Sequence, residues 1–225
     1  MTTPQPGSPQ AGILFDVDGT LVDTNYLHTL AWSRAFTDAG AWAPMHAIHR
    51  LIGMGGDNLV PRLLGHPCPR AVAARAGHYR ELIGEARAFP GAKSLVALAH
   101  EHGLRTAIAT SAPADELDRL IDLLDIAGCL GATTTADDVE TSKPDPEVFV
   151  TAMRVAGLEP DRTFAIGDSV WDVEAARAAG IACIGVESGG FSRHELDEAG
   201  ALHVYRNVEE LLEQFHTSPL ALLLT

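Results

Sequence analysis

Ile13, Leu14 and Phe15 form an apolar run that stops at a carboxylate, Asp16, with a second carboxylate, Asp18, two residues on. Apolar residues without alternation mark a strand buried on both faces, the kind found in parallel sheets covered by helices. The abrupt halt puts Asp16 where such a strand surfaces. Gly19 lets the backbone turn sharply there and come close to a ligand, and Thr20 follows it. Acidic turns after strands are common, so this string constrains function only in company.

Three further segments supply that company. Residues 104–109 form a second apolar run, which ends in Thr110-Ser111. Lys143 stands in Thr141-Ser142-Lys143-Pro144-Asp145-Pro146, ahead of a helical pattern over 147–156. Residues 163–166 form another run, ending in Gly167-Asp168-Ser169-Val170-Trp171-Asp172. Helical spacing returns over 115–124 and over 172–179 up to Gly180, and a helix after Pro90-Gly91 closes near 100–103. Shorter strands are predicted at 132–135, 181–186 and 202–205, with a Gly-rich turn between the last two and a final helix from Val208. Strands alternating with helices give an α/β fold with a Rossmann-like parallel sheet, covered on both faces. Strand ends and helix starts then meet at one edge, where ligands bind.

Residues 24–88 break the alternation. Leu27, Leu30, Ala31, Ala35 and Phe36 recur at helix spacing, and Gly40, Pro44, Gly53 to Gly56, Pro61 and Pro67 punctuate the remainder of the segment. No strand is predicted there. A connection of this length is too long for a bare loop, so it forms a small helical domain of its own.

In this order and at these spacings, the motif segments resemble the haloacid dehalogenase-like hydrolase superfamily, across nearly the whole chain from about residue 11. The resemblance implies an α/β core of residues 11–23 and 89–225 and an α-helical cap of the first type over 24–88. Asp23-Thr24, His28 and Trp32 resemble the hinge and first cap helix of the group that holds β-phosphoglucomutase and phosphoglycolate phosphatase-like enzymes.

A carboxylate can attack phosphorus and form an aspartyl-phosphate, which splits one hard step into two. Asp16 is the candidate nucleophile. Asp18 either protonates the leaving oxygen and then takes a proton from water, or merely caps the Gly19 turn. Asp16, Asp18, Asp168 and Asp172 gather negative charge that cannot all persist without a counter-ion. Mg2+ suits oxygen donors and phosphate. The resemblance implies Asp16 and Asp168 as side-chain ligands, with the backbone carbonyl of Asp18. If the helix already includes Asp168, Asp172 shares its face; Asp172 is then an indirect or water-mediated ligand, or a helix-start acid complementing the macrodipole. Thr110 and Ser111 offer a hydroxyl and N–H groups to a transferring phosphoryl group, and Lys143 offers positive charge. Lys143 is one of only two lysines in a chain that otherwise uses arginine. His28 reads equally as a partner of Asp18 or as a packing histidine, and Trp32 as a substrate contact or a core residue. The turn from Gly53 to Asn58 either reaches into a closing site or simply joins two helices.

Rival readings meet specific residues. Dehalogenases of the superfamily lack the second aspartate, which Asp18 supplies. Its phosphonate hydrolases need a cap lysine, and residues 24–88 contain none. A sugar-phosphate mutase stays open, although the basic cap residues it uses are not matched at Gly55-Gly56-Asp57 or at Glu81. A silent binding or regulatory member would have lost one of Asp16, Asp18, Lys143 or Asp168, and all four are present.

At 46% hydrophobic the chain can bury a full core, yet no stretch approaches a membrane span. A formal charge of −14 argues against nucleic acid. Cys68, Cys129 and Cys183 are odd in number and far apart, as reduced thiols are. Residues 1–10 read as a loose N-terminus without a signal peptide. The expectation is therefore a cytoplasmic enzyme, monomer or weak dimer, whose partner is a small phosphorylated metabolite.

Overall fold

The structure, a computed structural model, describes residues 10–224. Residues 1–9 of the segment read as a loose N-terminus lie outside the described residues, and Gln10 already belongs to the first strand. In chain order the elements are β1 (Gln10–Phe15), β2 (Val22–Asp23), α1 (Asn25–Asp38), α2 (Met45–His49), α3 (Gly56–Leu64), α4 (Pro69–Leu82) and β3 (Arg87–Ala88). Next come α5 (Ala92–Glu101), β4 (Arg105–Ala109), α6 (Ala114–Leu124), β5 (Leu130–Thr134), α7 (Glu147–Ala156), β6 (Leu158–Gly167) and α8 (Val170–Ala178). The chain closes with β7 (Ala182–Val186), α9 (Arg193–Ala199), β8 (His203–Tyr205) and α10 (Val208–Glu213).

Six strands form one sheet in the order β5-β4-β1-β6-β7-β8, and every neighbouring pair is parallel. Strand periodicity decides which residues face which layer. Ile13 and Phe15 point into a core with α5, α6 and α10, through Leu95, Leu120 and Leu211. Leu14 points the other way, into a core with α7, α8 and α9, through Phe149, Val173 and Leu196. Both faces of β1 are therefore buried, which is why its sequence does not alternate. The strand order reverses at β1, between β4 and β6, and the crevice at such a reversal opens beyond the carboxyl ends of the strands. Asp16 stands there.

The four helices α1 to α4 leave the sheet at β2 and return at β3. They carry an apolar cluster of their own, built on Trp32, Phe36, Ile48, Leu59 and Val60. A second small cluster of Ala31, Tyr79 and Leu82 joins α1 to α4. Where the chain crosses between sheet and helices, Val22 and Asp23 pair antiparallel with Ala88 and Arg87.

Several expectations need correction. Residues 24–88 do contain a strand, the two-residue β3, too short to leave a periodic signal. Pro61 does not break the chain but lies inside α3, where burial of Leu59 and Val60 outweighs one missing hydrogen bond. The Gly-rich turn after β7 is followed by a helix, α9, whose capping box of Ser192 and Glu195 overrides the neighbouring glycines. Strand β6 begins at Leu158, five residues earlier than its apolar run, because only its carboxyl half is buried on both faces.

Candidate active site

Three adjacent strands bring the polar residues to one edge. Phe15 pairs with Ile108 on β4 and with Ile166 on β6, so Asp16, Thr110 and Asp168 leave the sheet within a residue of one level. The Asp16 backbone N–H still donates to the Ile166 carbonyl at 2.9 Å, which fixes the carboxylate to the sheet. Lys143 comes from the loop after β5 and is completely buried. Its ammonium lies 2.6 Å from Asp16 Oδ1 and 2.7 Å from Asp172 Oδ1, and donates to the Ala109 carbonyl at 3.0 Å. Burial would strip the proton from an ammonium, but the two carboxylates outweigh it and raise the Lys143 pKa.

Helix α8 begins at Val170 with Ser169 as its cap, so Asp168 lies outside the helix and shares no helical face with Asp172. The second Asp172 oxygen accepts from the Ser169 backbone N–H at 3.1 Å and from its hydroxyl. Lys143 and Ser169 together thus occupy both oxygens of Asp172. Asp168 is held differently: Oδ1 accepts from the Thr20 hydroxyl at 3.2 Å and Oδ2 from the Asn25 amide at 2.9 Å. Thr20 also reaches Asp16 Oδ2 at 3.4 Å, and being fully buried it steadies the two carboxylates rather than facing the cavity. Glycine is required around Asp168. A Cβ at Gly189 would lie 1.5 Å from Oδ2, and one at Gly19 would lie 2.5 Å from it.

Asp16, Asp168 and Asp172 each present an oxygen within 4.8 Å of the others, with one ammonium among them. Burial, with repulsion from Asp172 and Asp18, pushes Asp16 up to about 8 despite Lys143. Burial and the same kind of repulsion, from Asp172 and Asp16, raise Asp168 well above the carboxylate range. This is a buried cluster of carboxylates, lined by oxygen donors and cleared by Gly19 and Gly189. A hard divalent cation fits it.

Asp18 sits apart from that cluster. Burial would raise it, but the His28 ring, the Thr24 hydroxyl and the Arg75 charge hold it down at about 2. Its Oδ1 accepts from Thr24 at 2.6 Å and from His28 Nε2 at 2.8 Å. Arginine has donors only, so the His28 Nδ1 that Arg75 meets at 2.5 Å must accept, and the ring proton faces Asp18 from Nε2. Arg75 is paired in turn with Glu116 at the start of α6. Tyr79 stacks on His28 with ring centroids 4.0 Å apart, and the Arg75 guanidinium lies 4.8 Å from the centre of the Tyr79 ring.

An inner cavity of about 40 Å³ is lined by Asp16, Asp18, His28, Gly53, Thr110 and Ser111. The Ser111 hydroxyl is buried without a hydrogen-bond partner among the described residues, and Thr110 Oγ1 accepts from the Ala112 N–H at 3.1 Å. Gly53 has φ +99°, and a Cβ there would lie 2.7 Å from Ser169 Oγ, so this position needs glycine. A larger cavity of about 350 Å³ shares Trp32, Met54, Arg75 and Ser111 with the inner one. Asp16, Asp18, Thr110, Ser111, Lys143, Asp168 and Asp172, which the sequence placed at one edge, lie together there, and His28, Trp32 and Gly53, for which it left a packing or linking role open, line the same cavity. Sequence reasoning missed Asn25, Arg75 and Glu116. Only Asn25, next to the hinge pair Asp23-Thr24, stood beside a recognised motif.

Known proteins share this arrangement of sheet and helices. A family model for haloacid dehalogenase-like hydrolases matches residues 11–180. A phosphoglycolate phosphatase of Cupriavidus necator is 34% identical over 182 residues, covering 77% of this chain and 79% of that protein. The crystal structure of a hydrolase from Pseudomonas syringae superposes with a TM-score of 0.87 at 33% identity, covering 93% of this chain and 99% of the other. That of CbbY from Rhodobacter sphaeroides, in complex with xylulose-(1,5)-bisphosphate, does so with a TM-score of 0.76 at 29% identity, covering 90% and 96%.

Proposed function

The chain belongs to the haloacid dehalogenase-like hydrolases and is a phosphoric monoester hydrolase; from that premise, we propose that it is a Mg2+-dependent phosphatase of small metabolites working through an aspartyl-phosphate on Asp16. One observation carries this reading. Asp16, Asp18, Thr110 and Ser111 line a single cavity, with the buried Lys143 ammonium 2.6 Å from Asp16.

In this proposal Asp16 and Asp168 hold the metal with their carboxylates and Asp18 with its carbonyl, while Asp172 keeps Lys143 and α8 in place. The ion would supply positive charge to the phosphoryl oxygens and offset the acidic cluster. Lys143, the Ser111 hydroxyl and the N–H groups near Thr110 hold the phosphoryl oxygens as charge gathers on them. Asp16 forms the bond to phosphorus as the ester oxygen leaves and takes a proton from Asp18. The charge of a bound ester opposes the ionised form of Asp18 and supplies the reason it carries that proton. In the second step Asp18, ionised again, takes a proton from the attacking water, and Asp16 is released.

The helical segment of residues 24–88 acts as the cap over this cavity, hinged at β2 and β3. No helix among the described residues is long and apolar enough to cross a membrane, and Cys68, Cys129 and Cys183 are free thiols. That suits work in the reducing cytoplasm. The purified protein should release phosphate from p-nitrophenyl phosphate with Mg2+ and stop when a chelator is added. Asp16→Asn should abolish turnover with an unchanged circular dichroism spectrum. Normal turnover in that variant, or in chelator, would refute the mechanism.

A further inference from the structure

The larger cavity adjoins the inner one and is lined by residues of both the helical segment and the sheet edge. Resting on the phosphatase reading above, we infer that the substrate is a monophosphate whose leaving group is an uncharged, hydroxyl-bearing ring, of the sugar or cyclitol class. Esters whose tail carries a second phosphate or a carboxylate are discriminated against.

Once the phosphoryl group occupies the inner cavity, the leaving group extends into the space of about 350 Å³ that shares Trp32 and Ser111 with it. That volume is of small-molecule size. An anionic tail needs a free cation there, and the described residues offer none. Arg75 is the sole basic side chain among those on the wall of this cavity, and its charge is already committed to Glu116 while it donates to His28. Other arginines of residues 24–88 stand elsewhere. Arg34 pairs with Glu81, Arg50 pairs with Glu195, Arg62 lies over Trp171, and Arg80 lines a separate surface hollow.

The charged groups that remain on the cavity wall are acidic. Asp57 and Glu140 both line it, and both residues are exposed. Asp57 is held in place by the Ser142 hydroxyl, while the Glu140 side chain makes no ion pair among the described residues. Carboxylates only accept hydrogen bonds, so they favour a tail that brings O–H donors and repel one that brings negative charge. The rest of the wall gives an apolar face through Trp32, Val72, Pro113 and Val139. An indole surface beside acceptor oxygens suits a ring with one C–H face and several hydroxyls.

The test compares kcat/KM, in Mg2+, for glucose 1-phosphate, glucose 6-phosphate and myo-inositol 1-phosphate with that for phosphoglycolate and fructose 1,6-bisphosphate. p-Nitrophenyl phosphate reports the chemistry itself. The best neutral-tailed ester should exceed both anionic-tailed esters by about tenfold or more, mainly through KM. Val72 is 47% exposed on the cavity wall, so Val72→Arg adds a cation there at little risk to folding. That variant should narrow the gap for phosphoglycolate by about fivefold or more. An unchanged gap in Val72→Arg would overturn the inference. So would an anionic-tailed ester matching the best neutral one while p-nitrophenyl phosphate is hydrolysed. No turnover of any ester, p-nitrophenyl phosphate included, would instead overturn the phosphatase reading, and this inference with it.

Discussion

Asp168 is completely enclosed, accepts one hydroxyl and one amide donor, and has no ion-pair partner among the described residues. A carboxylate kept in that state costs stability, and only a bound cation returns it. Function and stability therefore pull against each other at this residue. Asp168→Asn removes the charge: its carbonyl still accepts from the Asn25 amide, and its own amide donates to Thr20 Oγ1, whose hydroxyl remains directed at Asp16 Oδ2. In chelator this variant should melt higher than the parent by a few degrees, on the order of 1–2 kcal/mol for a chain of this size. Its Mg2+-dependent turnover should fall about 100-fold or more. Thermal melts in chelator decide the first point and initial rates the second; a variant less stable than its parent without metal would mean that Asp168 is not electrostatically strained.

Among strands and helices, the legible parts were those with a local cause. β1, β4 and β6 each end an apolar run at a polar residue, because buried strands must be apolar and the edge need not be. That alone brought Asp16, Thr110 and Asp168 together. Short β3 has too few residues for a period, and its pairing with β2 is set by the helices between them. Helix α9 did carry its signature, Ser192 with Glu195 and a stop at Gly200, but the glycines before it read as a turn. The pairing of Arg75 on α4 with Glu116 on α6 left no trace in the sequence. The two are 41 positions apart, and an acid in the first turn of a helix has an ordinary reading through the dipole. That pairing also predicts a measurable coupling. Their side chains are only 13% and 8% exposed, so Glu116→Ala strands a buried guanidinium and should cost about 2–4 kcal/mol in urea unfolding. Replacing both, as Arg75→Leu with Glu116→Leu, should cost less than Glu116→Ala alone. A double variant at least as unstable as the single one would show that the pair stabilises on balance.

For the molecule in its entirety, the issue is how the helical segment meets the sheet edge. Besides the Arg75–Glu116, His28–Asp18 and Asn25–Asp168 pairs, further contacts join them. Arg50 pairs with Glu195 and lies 3.9 Å from the centre of the Phe191 ring, while Trp171 Nε1 donates to the Arg50 carbonyl at 3.3 Å. At the start of α3, Asp57 accepts from the Ser142 hydroxyl at 2.5 Å. Beside it, the Gly55 N–H and the Asn58 amide both donate to Ser142 Oγ, at 3.0 and 3.1 Å. This last seam runs along the loop that carries Lys143, so a segment that must lift to admit an ester would part there. A Cβ at Gly55 would lie 2.7 Å from the Ser142 Cβ, about 1 Å inside the usual disulfide spacing, so a small outward shift of α3 would seat a bond. Gly55 has φ −73°, which any residue tolerates. Gly55→Cys with Ser142→Cys, in a chain whose Cys68 and Cys129 are replaced by alanine, should therefore be switchable. Reduced, it hydrolyses p-nitrophenyl phosphate at its own basal rate, and oxidised, at about a tenth of that rate or less. Reductant should restore the loss, with the crosslink followed by mass spectrometry of a non-reduced digest. Equal rates with the bond formed would mean that esters enter without parting this seam, and the hinge at β2 and β3 would not gate the site.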